Sequence, residues 1–196
     1  MRLLCIDMRT ALAAVVLMGG PVWAAEPIDV SDKTQETAPR NYGNVRIGAS
    51  TSSRRPSLCL ELSPLEMLSF EGCGTGSGFL HHDPEPEIAH FRSWLKLTSW
   101  KTAIGWLQPR LGLGFAELQV GEDGSGFQFS GVGATGVETA GPEVGASLRL
   151  LFPTASGVEF VSEIGVSGAY FHYAPRLTVP QFRFQPSASL SLGVGF

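Results

Sequence analysis

From about residue 43 to the end, the chain alternates apolar and polar side chains with a period of two, the signature of β-strands rather than helices. The alternation is most regular over residues 181–196. There Phe182, Phe184, Pro186, Ala188, Leu190, Leu192, Val194 and Phe196 interleave with Gln181, Arg183, Gln185, Ser187, Ser189, Ser191, Gly193 and Gly195. A soluble sandwich rarely needs so long a dyad, whereas a tilted strand crossing a bilayer needs about 9–11 residues. The same alternation marks 88–99, 103–118, 140–152 and 157–173, and more weakly 43–50, 57–63 and 66–74. The pattern predicts an all-β fold: an antiparallel up-and-down transmembrane β-barrel of about eight strands, an even number.

The links between these segments alternate in length. Ser63-Pro64, the region around Trp100, Lys101 and Thr102, and residues 153–157 are short. Residues 75–87, 120–139 and 174–179 are longer and polar or glycine-rich, and 51–56 is a short exception among them. Short turns on the periplasmic side and longer loops outside are the expected arrangement of such a barrel. Apolar-face aromatics also sort by depth. Phe152, Phe160 and Phe196 fall near the predicted periplasmic ends, and Phe91, Phe115, Tyr170, Phe182 and Phe184 near the outer ends. Such girdles suit rings at headgroup level.

Residues 1–24 read as a signal peptide. Arg2 and Arg9 precede the apolar run 10–18, and Val22-Trp23-Ala24 offers small residues at −3 and −1. Residues 25–42, polar and acidic with prolines, read as a flexible periplasmic leader, and 43–196 as the barrel. Composition narrows the class further. Charged residues are 16% of the 196, and the net charge of −4 becomes −5 without the first 24. Nothing points to nucleic acid. Cys5 leaves with the signal, so Cys59 and Cys73 remain, suited to one disulfide in an oxidising compartment and too few for a structural zinc site.

The terminal strand resembles that of outer-membrane β-barrels. In that class a final aromatic preceded by apolar residues at every second position is the signal read by the barrel-assembly machinery; Phe196, Val194, Leu192 and Leu190 match it. Size and layout are similar to the small OmpA/OmpX-like eight-stranded barrels. The resemblance implies integral outer-membrane residence and contact with outer-membrane lipids and the assembly machinery. It specifies no functional motif.

Parity places Glu61, Glu71, Arg92, Lys96, Arg110, Glu143, Arg149, Glu159, Glu163 and Arg183 inward. An eight-stranded barrel is just wide enough for side chains to fill, so opposite charges there are expected to pair as a plug. A narrow pore or buried polar site is the alternative. If the second hairpin turns near Glu66, Cys59 faces Cys73 and Glu61 lies near Glu71. His81, His82, Asp83, Glu85, Glu87 and His90 cluster around the second outer loop, but their spacing matches no closed ligand set, so a solvated loop is expected and no metal or cofactor. Lipid-modifying hydrolases and acyltransferases also use small barrels. His172 adjoins Tyr170 and Ser162 lies on the apolar face, yet no triad is complete. The glycine-rich stretch 121–136, carrying Phe127 and Phe129, is a candidate partner-binding loop. The functional expectation is a structural or interaction protein whose surface loops meet ligands or envelope proteins, with a lipid-modifying enzyme or a narrow channel as alternatives.

Overall fold

The structure, a computed structural model, describes residues 41–76, 85–121, 127–154 and 156–196. Its eight long strands are β1 (Gly43–Ser50), β2 (Ser57–Leu62), β3 (Leu68–Gly74), β4 (Glu87–Lys96), β5 (Trp106–Gln119), β6 (Glu138–Pro153), β7 (Glu159–Tyr170) and β8 (Phe184–Gly195). A two-residue strand, Trp100–Lys101, pairs back onto the start of β5 within the β4–β5 link. Each strand is antiparallel to its sequence neighbour, and β1 pairs with β8 from Asn44 opposite Gly195 to Ser50 opposite Ser189. The sheet is therefore closed, and each of the eight long strands has a partner on both sides.

Alternation determines which side each residue takes. On β8, Leu190, Leu192 and Val194 point out while Ser187 and Ser191 are buried inside. On β7, Phe160, Ile164 and Val166 point out while Val161 and Glu163 are buried. The outcome is an inside-out molecule: the outer wall is aliphatic and the interior holds the charges. Leu113, for example, is 68% exposed, whereas Trp94 inside is 1% exposed.

The interior has three layers. Nearest the short-turn end, Trp106, Leu151 and Val161 form a small apolar cluster. Polar and charged side chains fill the middle. At the long-link end, Ile88, Ala116, Leu118, Val120 and Ala169 pack against Phe171, Ala174 and Leu177. The last three come from the β7–β8 link, which turns through a 3-10 helix at Ala174–Arg176. This differs from the sequence expectation in two ways. The residues past 170 leave the sheet, and β8 begins at Phe184 rather than 181. The link also folds inward as a cap instead of standing out as a loop, because three of its apolar side chains can be buried only over the mouth. The cap is tied by Thr178 N–H donating to the carbonyl of Gly136 (2.9 Å) in the β5–β6 link and by Gln181 N–H donating to Ala174 (3.1 Å).

Asn41 and Tyr42, expected in the leader, join the barrel rim. Tyr42 N–H donates to the carbonyl of Phe196 (2.7 Å), and Ser63 N–H donates to that of Tyr42 (2.7 Å). The rest of the leader and the predicted signal segment lie outside the described residues.

Candidate functional site: a charge-balanced interior and a capped mouth

The middle layer is built from one to three residues of each of seven strands. Glu61 on β2 lies at its centre. It accepts from Arg110 on β5 (2.8 Å), from Arg149 on β6 (2.9 Å to Nη1, with Nη2 also paired) and from Arg46 on β1 (3.0 Å). Glu163 on β7 meets the same three guanidiniums, at 2.8 Å from Arg110, 2.7 Å from Arg149 and 2.7 Å from Arg46. Glu71 on β3 pairs with Arg46 and with Arg92 on β4 (2.7 Å), and accepts from Trp94 Nε1 (3.0 Å). The guanidinium carbons of Arg92 and Arg110 lie 5.0 and 4.9 Å from the Trp94 ring centroid, within cation–π range. Glu143 on β6 is 2.8 Å from His90 Nδ1 and 3.7 Å from Arg92.

Four arginines thus meet four glutamates, all buried except the partly exposed Arg92, and the formal charges cancel. Cancellation is needed because an isolated ion away from water is very costly; several hydrogen bonds per carboxylate offset that cost. Arg46 Nε donates to Asn44 (2.8 Å), Asn44 donates to Asn41 (3.2 Å), and Asn41 donates to Glu159 (2.9 Å), so hydrogen bonds run from the network to the short-turn rim.

Seven of the ten residues assigned inward by parity lie in this network: Glu61, Glu71, Arg92, Arg110, Glu143, Arg149 and Glu163. Glu159 is buried at the rim beside Asn41. Lys96 sits at the short-turn rim and pairs with the exposed Glu66 (3.2 Å), outside the network. Arg183 does not face the interior. It is exposed and precedes the first residue of β8, so the parity of that strand does not apply to it. The structure adds Arg46, Asn44 and Trp94. All three sit at inward parity within predicted strands, so the signal that could have found them was present.

Cys59 and Cys73 are directly opposite across β2 and β3 and form a disulfide, with Cα atoms 4.1 Å apart. Glu61 and Glu71 are opposite in the same register. Glu71 is close to both sulfurs, but the S–S bond leaves no thiolate to hold a metal there. A loop of about 15 residues is closed, so the double change Cys59→Ser and Cys73→Ser is expected to lower stability by about 3 kcal/mol. Urea titration of the folded protein with and without the bond checks this.

The histidines and acids of the second outer link do not assemble among the described residues. His81, His82 and Asp83 lie outside them. Glu85 pairs with Arg54 at the surface (2.8 Å). Glu87 is buried and accepts from Thr75. His90 belongs to the interior network. His172 is exposed and rests against Tyr173 (4.8 Å between rings), beyond the long-link end of β7. Ser162 is ten residues away, about 30 Å along a strand, on the outer wall between Leu150 and Leu192. These two therefore cannot share a reacting centre.

The β5–β6 link has structure of its own. Ala140 N–H donates to Gln128 (2.8 Å), Thr139 Oγ1 donates to Gly131 (2.9 Å), and Val120 N–H donates to Val137 (2.8 Å). Phe127 packs edge-on against Phe91 (4.9 Å) and Phe115 (5.1 Å), which stack with each other at 5.2 Å, and Phe129 joins Phe115 at 5.4 Å. The link thus extends the aromatic surface of the outer wall.

The remaining space inside is small. One void of about 30 Å³ lies beside Glu61, Arg110 and Arg149, and another of about 30 Å³ lies on the long-link side of the network, beside Cys59, His90 and Ser187. Each is on the scale of a water molecule. No family model, curated protein or solved structure matches this chain, so its fold and its interior geometry are the grounds on which function is read.

Proposed function

We propose that this protein is an integral outer-membrane β-barrel with a structural or interaction role, presenting its long-link end to the cell exterior. One observation carries the reading: the outward positions of a closed barrel form a continuous apolar girdle. Among the described residues, the charged side chains at outward strand positions are Glu87, Glu117 and Glu138, all at the long-link end and all buried. Below them the girdle on β8 runs from Phe184 to Val194, ten residue steps. At about 3.3 Å per step and a tilt of about 40°, that is about 25 Å of height, the thickness of an outer-membrane apolar band. In water, such a surface far exceeds the few hundred Å² of contiguous apolar area that a soluble monomer exposes.

The terminal residues suit assembly by the barrel machinery. Leu190, Leu192, Val194 and Phe196 all face out on the strand that closes the sheet, where Phe196 N–H donates to Gly43 (3.0 Å). The packed interior and apolar cap favour a closed barrel over a solute channel. The candidate partner surface is the capped end, with the exposed rings of Phe127 and Phe129.

The fold in a membrane is tested by electrophoresis of the membrane fraction with and without boiling. A folded barrel is expected to migrate differently before boiling, and recovery of folded protein in the soluble periplasm would overturn the assignment. In planar bilayers the inserted protein is expected to pass no steady current at high protein load; discrete, reproducible conductance steps would replace the closed barrel with a channel.

A further inference from the structure

The outer wall is not evenly padded. A furrow of about 850 Å³ crosses it from β3 to β7. Its floor is made of small outward residues, Ser93, Ala146 and Gly168, and its walls include Leu95, Leu113 and Phe184. The register explains its course. On one cross-strand row the small Ser93 and Gly168 flank Leu113 and Val144, and on the next outward row Ala146 lies between Leu111 and Val166, so the small residues step obliquely across β4 to β7 between larger side chains. Four interstrand steps of about 4.8 Å make it about 19 Å long. The Phe184 ring leans over Gly168: a Cβ there would meet it at 2.8 Å.

We propose that this furrow is a preformed seat for one acyl chain of a single membrane lipid, held longer than the lipids around it. The inference rests on reading the girdle as lipid-facing. Three observations favour a chain over other occupants. No charged side chain lines the furrow. A peptide lying in it would leave backbone amides unpaired, since the one hydroxyl at an outward position of the lining is that of Ser93, Ser167 facing inward to Glu143. A second barrel presents a convex wall, which cannot fill a narrow depression in another convex wall. An acyl chain has the right shape and makes no hydrogen-bonding demand. Its volume lies within the range of pockets that enclose small ligands.

The test uses the chain folded into dimyristoyl phosphatidylcholine vesicles, extracted into mild detergent and weighed by native mass spectrometry. The wild-type protein is expected to retain one phospholipid. Ser93→Leu and Ala146→Leu fill the floor from two strands and are expected to cut the retained fraction at least tenfold. Ala49→Leu, on the outer face of β1, is expected to leave it unchanged. A second measurement needs no filled variant. The Trp94 ring lies directly beneath Gly112, where a Cβ would meet it at 2.7 Å, and Gly112 lines the furrow. With Trp94 as the sole tryptophan, brominated-chain phosphatidylcholine added to protein in micelles is expected to quench its fluorescence saturably at one lipid per barrel. Equal retention by the filled variants, no retention by the wild type, or quenching that never saturates overturns the seat while leaving membrane insertion intact. Failure of the wild-type chain to insert into the vesicles overturns both readings.

Discussion

Ile164→Arg is expected to destabilise the protein in a phospholipid bilayer by about 2–4 kcal/mol, the cost of an arginine at the midplane of a lipid-facing barrel wall. Ile164 is the sixth of the twelve residues of β7, is 58% exposed, and is flanked by the outward Leu148 and Leu190 on the neighbouring strands. In water, the same change at an exposed side chain lies within about 0.5 kcal/mol of neutral. The sign and size of the effect therefore report what touches the wall. The cost must also depend on depth. Phe160, the second residue of β7, lies near the short-turn rim, and the charge-transfer cost of Phe160→Arg is expected to be at most about 1 kcal/mol. Reversible urea unfolding in vesicles measures both variants. Equal costs at the two depths, or no cost at Ile164, would remove the bilayer from the explanation.

The second large effect is expected inside. Glu61→Leu removes the acceptor shared by Arg46, Arg110 and Arg149, leaving three buried guanidiniums with Glu163 and Glu71 to neutralise them. Breaking a buried pair in this way costs about 3–5 kcal/mol, because the desolvation of the remaining charge is no longer offset. The double variant Glu61→Leu with Arg149→Leu restores the balance and is expected to recover part of the loss. The two side chains touch, so their effects should not add. A double variant as unstable as the sum of the two singles would mean that packing, and not charge balance, holds the interior together.

Much of this arrangement is legible in the sequence. The eight strands follow from period-two alternation, because successive side chains on a strand must point to opposite faces. The opposition of Cys59 with Cys73 and of Glu61 with Glu71 followed from one assumption, a turn near Glu66, since an antiparallel hairpin has a single register once its turn is placed. Arg183 shows where the reasoning runs out. Alternation continues through residues 181–183, but the chain there is already in the link, and parity carries no meaning outside a paired strand. The cap was illegible for a related reason. Phe171 falls in the predicted strand 157–173, but Ala174 and Leu177 lie past it in a short stretch with no strand period, and burial of all three over the mouth depends on the opening beneath them.

The sequence by itself determined the side each residue of the sheet would take, because that is a local property of the pleated backbone. It also determined that the charges would be inside and the aliphatic residues outside. Only the tertiary structure decided which charges meet. Glu61 finds Arg46, Arg110 and Arg149, from a neighbouring strand and from two far along the chain, because closing eight strands into a ring brings those positions to one level. That level is set by the accumulated stagger of every pairing around the ring, and no single segment contains it.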